Sequence, residues 1–69
     1  MLMINNQPKG MIMHMTAINE LAPRIIELHH LTPSTPRAHR LAMISRHAPH
    51  ASRMTRLRIL TRIDALLER

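Results

Sequence analysis

The stretch from Ser52 to Arg69 constrains the fold most, because its apolar residues recur with the period of an α-helix. At roughly 100° per residue, five of its six large aliphatic side chains fall in one arc about 120° wide. They are Ile59, Leu60, Ile63, Leu66 and Leu67. The basic side chains opposite that arc are Arg58, Arg62 and Arg69. The pattern predicts an amphipathic helix over residues 50–68, for which Ser52 is the expected N-cap residue.

A further helix is predicted over residues 16–31. We expect Thr16 to cap its start, and Thr32 with Pro33 to end it. Pro23 lacks the N–H that a helix interior needs, so either a kink just before this proline or a later start at it is expected. Its predicted apolar seam consists of Ile18, Leu21, Ile25 and Leu28. The residues beside the seam are Ala22 and His29.

Another helix is predicted over residues 36–47, after a proline-rich connector. Pro36 suits the first helical position, where a missing N–H costs nothing, and Thr35 is the expected N-cap residue. Pro49 separates this helix from the last one. Its apolar stripe is thin and consists of Leu41, Ile44 and Ala48, with Ala38 near it. The chain is therefore predicted to be all-α, with two to three short helices and proline-marked turns.

Residues 1–15 are predicted to form an N-terminal arm. Two short apolar runs surround a turn cluster at residues 5–10, which is typical of a β-hairpin. Since an isolated hairpin is marginal in water, the arm is either a hairpin or disordered. A strand that pairs with its twin in a dimer would resemble the ribbon-helix-helix repressors, in which a strand precedes two helices.

The size of the chain limits its core. A domain of 69 residues buries only about 60% of the surface that its unfolded chain exposes. With no Cys, Phe, Tyr or Trp, the core must consist of Leu, Ile, Met and Ala. We therefore expect a marginally stable single domain that needs a partner, either another protein or a second copy of itself.

The polar residues do not form a catalytic or metal-binding pattern. Four acidic residues and one Gly leave little with which to build a pocket or a phosphate-binding loop, so an enzyme is not expected. Glu27 and His30 match one half of the Glu-x-x-His pattern of di-iron bundles, which needs two such pairs. Neither a metal site nor a cofactor is predicted. His29 and His30 are expected near a helix C-terminus, where the helix dipole favours their charged forms.

Charge is divided unevenly along the chain. Residues 1–35 are neutral, whereas residues 36–69 carry the whole net charge of +6, and every basic residue there other than His is Arg. Arg pairs in bidentate fashion with carboxylates and phosphates, so an acidic protein surface or a nucleic acid is the expected partner. No stretch approaches the roughly 20 apolar residues of a membrane span, and the start lacks a signal-peptide pattern. A cytoplasmic protein with no membrane partner is predicted.

Protein binding is the favoured interpretation of the basic half. Met and Arg are enriched at interfaces, and Leu57, Met54 and Met43 do not fit the predicted core. The residues expected to contact a partner are Arg40, Arg46, Arg53, Met54, Arg56, Leu57, Arg58 and Arg62.

In size and layout, the chain resembles the small helical inhibitors and antirepressors that temperate phages make, the Coi-like proteins. The resemblance implies a protein partner, namely a DNA-binding transcription regulator. The Arg-rich helices would inactivate that regulator by masking its DNA-binding or dimer surface. It also implies that the protein acts in the cytoplasm of the phage's host.

Duplex DNA is the alternative partner. Residues 52–57, Ser-Arg-Met-Thr-Arg-Leu, resemble the start of the recognition helix in winged-helix regulators of the MarR type, which implies a helix-turn-helix mode of DNA binding. Without Phe, Tyr or Trp side chains to stack on unpaired bases, duplex DNA is favoured over single strands and RNA. Contacts to roughly six phosphates would make log affinity fall with log salt at a slope of about −5.

Overall fold

A computed structural model describes the backbone of residues 9–68 and the side chains of residues 18–68. Three helices follow one another along this part of the chain: α1 (Lys9–His29), α2 (Arg37–His47) and α3 (Arg53–Leu67). Each helix contacts the other two, and no strand occurs within residues 9–68. The predicted all-α class is therefore confirmed. None of these three helices is both long enough and apolar enough to cross a lipid bilayer.

Helix α1 begins earlier than the sequence predicted. It starts at Lys9, so Thr16 lies inside the helix and does not cap it. The predicted second strand of the hairpin, residues 11–15, is helical, whereas the first strand lies outside the described residues. A helix satisfies its backbone hydrogen bonds within one segment, whereas a lone hairpin leaves its outer edges unpaired. This difference explains why the apolar run extends α1.

Pro23 lies inside α1 and its side chain faces solvent. The predicted alternative, that the helix starts at Pro23, is therefore wrong, while a kink just before it stays a prediction. Removal of one backbone hydrogen bond is tolerated here because the preceding residue, Ala22, is fully buried and holds the helix against the core.

The end of α1 is a Schellman motif formed without glycine. His30 has a positive φ of 52°, in the left-handed region. The N–H of Leu31 donates to the carbonyl of Ile26 at 3.0 Å, and the N–H of His30 donates to that of Glu27 at 3.4 Å. Leu31 is buried and packs with the partly buried Ile26 against the same core. The helix therefore ends before Thr32, as predicted, but the stop is made by this motif.

The prediction that Thr35 caps α2 is wrong. The N-cap position of α2 is Pro36, which forms no side-chain cap hydrogen bond. The hydroxyl of Thr35 instead accepts from the N–H of Thr32 at 2.9 Å and closes the turn before the helix. In contrast, Ser52 caps α3 as predicted, because its hydroxyl accepts from the N–H of Thr55 at 3.1 Å.

The core lies where the three helices meet. Its buried apolar residues are Ala22, Ile25, Leu31, Met43, Ile44, Ile59, Leu60 and Ile63. The predicted buried arc of α3 is confirmed, since Leu66 and Leu67 pack against this core from partly buried positions. Some assignments are wrong: Leu28, predicted in the seam of α1, is 56% exposed, whereas Met43, predicted to lie outside the core, is 8% exposed. Ala38, predicted near the apolar stripe of α2, is also exposed.

Candidate functional site

An open groove lies between α2 and α3. Its volume is about 560 Å³. Ser52 caps α3, so that helix begins at Arg53, and residues of its first two turns line the groove. The lining residues are Arg37, Leu41 and Ser45 from α2, with Arg53, Arg56 and Leu57 from α3. Three guanidinium groups therefore surround a floor that includes two leucines, and no acidic residue is part of this lining.

The structure brings together three of the residues predicted to contact a partner. Arg53, Arg56 and Leu57 all line the groove. Met54, the neighbour of Arg53 in sequence, is 61% exposed. Leu57 is half-buried and packs against the core, so the prediction that it lies outside the core is wrong, although its side chain also lines the groove. The beginning of α3 is thus the centre of the candidate site.

Arg46, Arg58 and Arg62 are exposed but do not line the groove. The structure therefore does not bring these three predicted contact residues into the candidate site. Arg69, which was predicted on the charged side of the last helix, lies outside the described residues.

Arg40 does not belong to the candidate site. Its side chain is only 12% exposed and forms an ion pair with Asp64 of α3. Its Nε donates to the carbonyl of Thr35 at 3.0 Å, and its Nη2 donates to those of Thr32 and Pro33 at 3.2 and 3.0 Å. The side chain therefore holds the α1–α2 connector against α3, and we assign it a structural position instead of the predicted contact with a partner.

Arg56 brings a buried, unpaired donor to the groove lining. Its Nη1 donates to the hydroxyl of Ser45 at 3.3 Å, which is long for a hydrogen bond. Its Nε is buried and has no hydrogen-bond partner among the described residues. Leaving a buried donor unpaired costs about 1–3 kcal/mol, more for a charged group. A ligand that supplied an acceptor would remove this cost.

Two histidines form a separate cluster at the C-terminal ends of α1 and α2. The Nε2 atoms of His29 and His47 lie 2.8 Å apart, and the rings meet edge to face with centroids 5.0 Å apart. Partial burial lowers the pKa of His29 from its ordinary 6.5, and the nearby His47 and Arg46 lower it further. This corrects the expectation that the helix dipole would favour the charged form of His29. Among the described residues, no group of three or more His, Cys, Asp or Glu side chains could hold a metal ion.

The sequence prediction missed three residues of the groove, namely Arg37, Leu41 and Ser45. They follow one another every four residues, so they share one side of α2. That spacing was a usable signal. Leu41 was assigned to the core stripe, and it does pack against the core while it also lines the groove.

Comparison with protein-family models, curated proteins and solved structures finds no match to this chain. The groove and the charges around it are therefore the basis on which a function is inferred.

Proposed function

We propose that this protein is a small non-enzymatic regulator that binds another protein through the Arg-rich face of α2 and α3. Its partner in this proposal is a DNA-binding transcription regulator, which it inhibits as an antirepressor does. The observation that supports the proposal is the groove itself, in which Arg37, Arg53 and Arg56 surround Leu41 and Leu57. Such a mixture of apolar floor and bidentate cations fits a protein surface that presents both carboxylates and an aliphatic side chain.

The exposed apolar residues favour a protein partner over a nucleic acid. Met54, which follows the groove residue Arg53 in sequence, is 61% exposed. Burial of Met54 and of the two groove leucines against another protein is favourable at about 25 cal/mol per Å² of apolar area. A phosphate backbone offers no comparable apolar surface. Arginine and methionine are also types that interfaces favour.

The proposed mechanism is masking and needs no chemical step. Binding places the guanidinium groups of Arg53 and Arg56 against acidic groups of the regulator. The bound helices then occupy the surface through which the regulator dimerises or contacts its operator. Because occupancy alone inhibits, the effect should follow the concentration of the complex and reverse on dissociation.

Duplex DNA is the second candidate, and one arrangement favours it. Helix α2, the connection 48–52 and α3 follow one another as in a helix-turn-helix, and the first turn of α3 exposes Arg53 and Met54. In this case α3 would enter the major groove, with the exposed Arg58 and Arg62 close to phosphates.

A mobility-shift experiment separates the two candidates. The regulator is the protein captured from the native host with the purified chain, and its operator duplex is the labelled probe. Protein binding predicts that added chain releases the regulator from the operator without shifting the free duplex. DNA binding predicts that the chain shifts the duplex alone, with a salt slope of about −5 for roughly six phosphate contacts.

Matched charge reversals test whether the α2–α3 face is responsible. Arg53→Glu should abolish release of the regulator, because it places a carboxylate at the edge of the groove. Arg24→Glu makes the same charge change at an exposed position of α1 and should retain release. Equal loss in both variants, with helical circular dichroism intact, would point to nonspecific charge attraction and contradict the proposed face.

A further inference from the structure

The lining of the α2–α3 groove selects for one kind of occupant. We propose that an acidic amphipathic helix of the partner protein enters it, with a carboxylate of that helix bound side-on by Arg56. This inference rests on the proposed function and deepens it by naming the segment that the groove recognises.

Charge complementarity determines the sign of the occupant. Arg37, Arg53 and Arg56 line the groove, and its lining contains no acidic residue among the described part of the chain. The carboxylate of Asp64 is already paired with Arg40 within the fold. A segment that carries several carboxylates complements the three groove cations.

The floor of the groove determines that the occupant also has an apolar side. Leu41 and Leu57 face the cavity from α2 and α3 while they pack against the core beneath it. An aliphatic side chain inserted above them would be removed from water together with their exposed surface. The acidic residues should therefore flank apolar anchors instead of forming an uninterrupted acidic run.

Backbone hydrogen bonding favours a helix over an extended segment. Both walls of the groove are helices, whose interior N–H and C=O groups are paired within the helix. No sheet edge exists within residues 9–68 to which an extended peptide could add. An occupant that satisfies its own backbone, with anchors three or four residues apart, meets these conditions.

Arg56 supplies the specific contact. In the free protein its Nε is buried without a partner, and its Nη1 makes one long hydrogen bond to Ser45. A small rotation that turns the Nε side of the guanidinium toward the groove would allow two parallel N–H donors to meet one carboxylate. The unsatisfied donor of the free state thus becomes satisfied only in the complex.

Fluorescence anisotropy with designed peptides tests this proposal on the full chain. The probe is a labelled helical peptide of about 16 residues, with two Leu four residues apart and Glu on both sides of that stripe. One comparison peptide has Gln in place of every Glu, and another has a central Pro that breaks the helix. The acidic helix should bind at least about tenfold more tightly than either comparison peptide.

Conservative substitutions separate the side-on contact from general attraction. Arg56→Lys keeps the charge but lacks the Nε donor, and it should weaken binding of the acidic helix by about tenfold. Arg24→Lys is the matched control at an exposed position of α1, away from the groove, and should change the affinity less than about twofold. Equal effects of the two substitutions, or equal binding of the Pro-containing peptide, would overturn the inference.

Failure of this inference is distinguishable from failure of the proposed function. If the chain releases the regulator from its operator but Arg56→Lys releases it equally well, the occupant is misidentified and the function stands. If the chain shifts duplex DNA and releases no regulator, the function itself is wrong.

Discussion

Arg40 and Asp64, 24 residues apart in the chain, form an ion pair that joins α2 to α3. The same guanidinium donates to three backbone carbonyls of the α1–α2 connector. The side chain of Arg40 on α2 therefore links α3 to the α1–α2 connector. The fold has few large residues that could hold these parts together. The chain has no Cys, Phe, Tyr or Trp, so this polar link contributes stability that larger proteins obtain from a larger core.

Replacement of Arg40 should destabilise the fold. Arg40→Gln leaves the carboxylate of Asp64 and the connector carbonyls without their donor, and we expect the free energy of unfolding to fall by roughly 2 kcal/mol. Urea denaturation followed by circular dichroism measures the change. Arg46→Gln, an exposed arginine on the same helix, is the matched control and should stay within about 0.5 kcal/mol of wild type. Similar losses in both variants would show that the Arg40 contacts contribute little.

The histidine pair should make stability depend on pH. The pKa of His29 is lowered in the folded state, so the unfolded chain binds a proton more readily as the pH falls below 6.5. The contribution of His29 to the free energy of unfolding is therefore fully present above pH 6.5. It is lost as the pH falls from 6.5 towards the lowered pKa of the folded state. The geometry acts in the same direction, because an Nε2–Nε2 hydrogen bond needs one unprotonated nitrogen.

His29→Gln tests the contribution of this pair. The variant should lose part of the decrease in urea midpoint seen between about pH 8 and about pH 5.5 in the wild type. His50→Gln removes an exposed histidine and should retain the full decrease. If both variants follow the wild-type curve, the acid sensitivity arises outside the pair.

Glycine at the end of α1 should stabilise the protein. His30 has a positive φ of 52°, a conformation that costs a residue with a Cβ more than it costs Gly. We expect His30→Gly to raise the free energy of unfolding by up to about 1 kcal/mol. His39→Gly places the same change inside α2 and should lower it by roughly 0.5–1 kcal/mol. Thermal denaturation of the two variants should therefore shift in opposite directions.

Periodicity predicted the buried side of α3 correctly, because that helix presents one aliphatic face to the core. Ile59, Leu60 and Ile63 are all buried. The same reasoning was wrong for Leu28 and Met43. Each helix packs against two neighbours, so the buried part of its surface depends on where those neighbours lie. A single-helix projection does not contain that information.

The α3 half of the groove lining was predicted from sequence, and the α2 half could have been found from spacing. The four-residue spacing of Arg37, Leu41 and Ser45 places them on one side of α2, and Arg53 and Leu57 repeat that spacing on α3. What spacing could not show is that these two sides face each other across a cavity. That juxtaposition depends on the packing of α2 on α3 and on the connection between them.

By itself, the sequence determined the helical class, the Ser52 cap and the placement of positive charge in the second half, because each depends on residues close together in the chain. Only the tertiary structure decided which arginines are available to a partner. Arg40 is engaged by Asp64 and by carbonyls of the preceding turn, whereas the buried Nε of Arg56 has no partner among the described residues. The physical reason is that a guanidinium carries its charge wherever it lies, but its exposure and its hydrogen bonds depend on groups that folding brings to it.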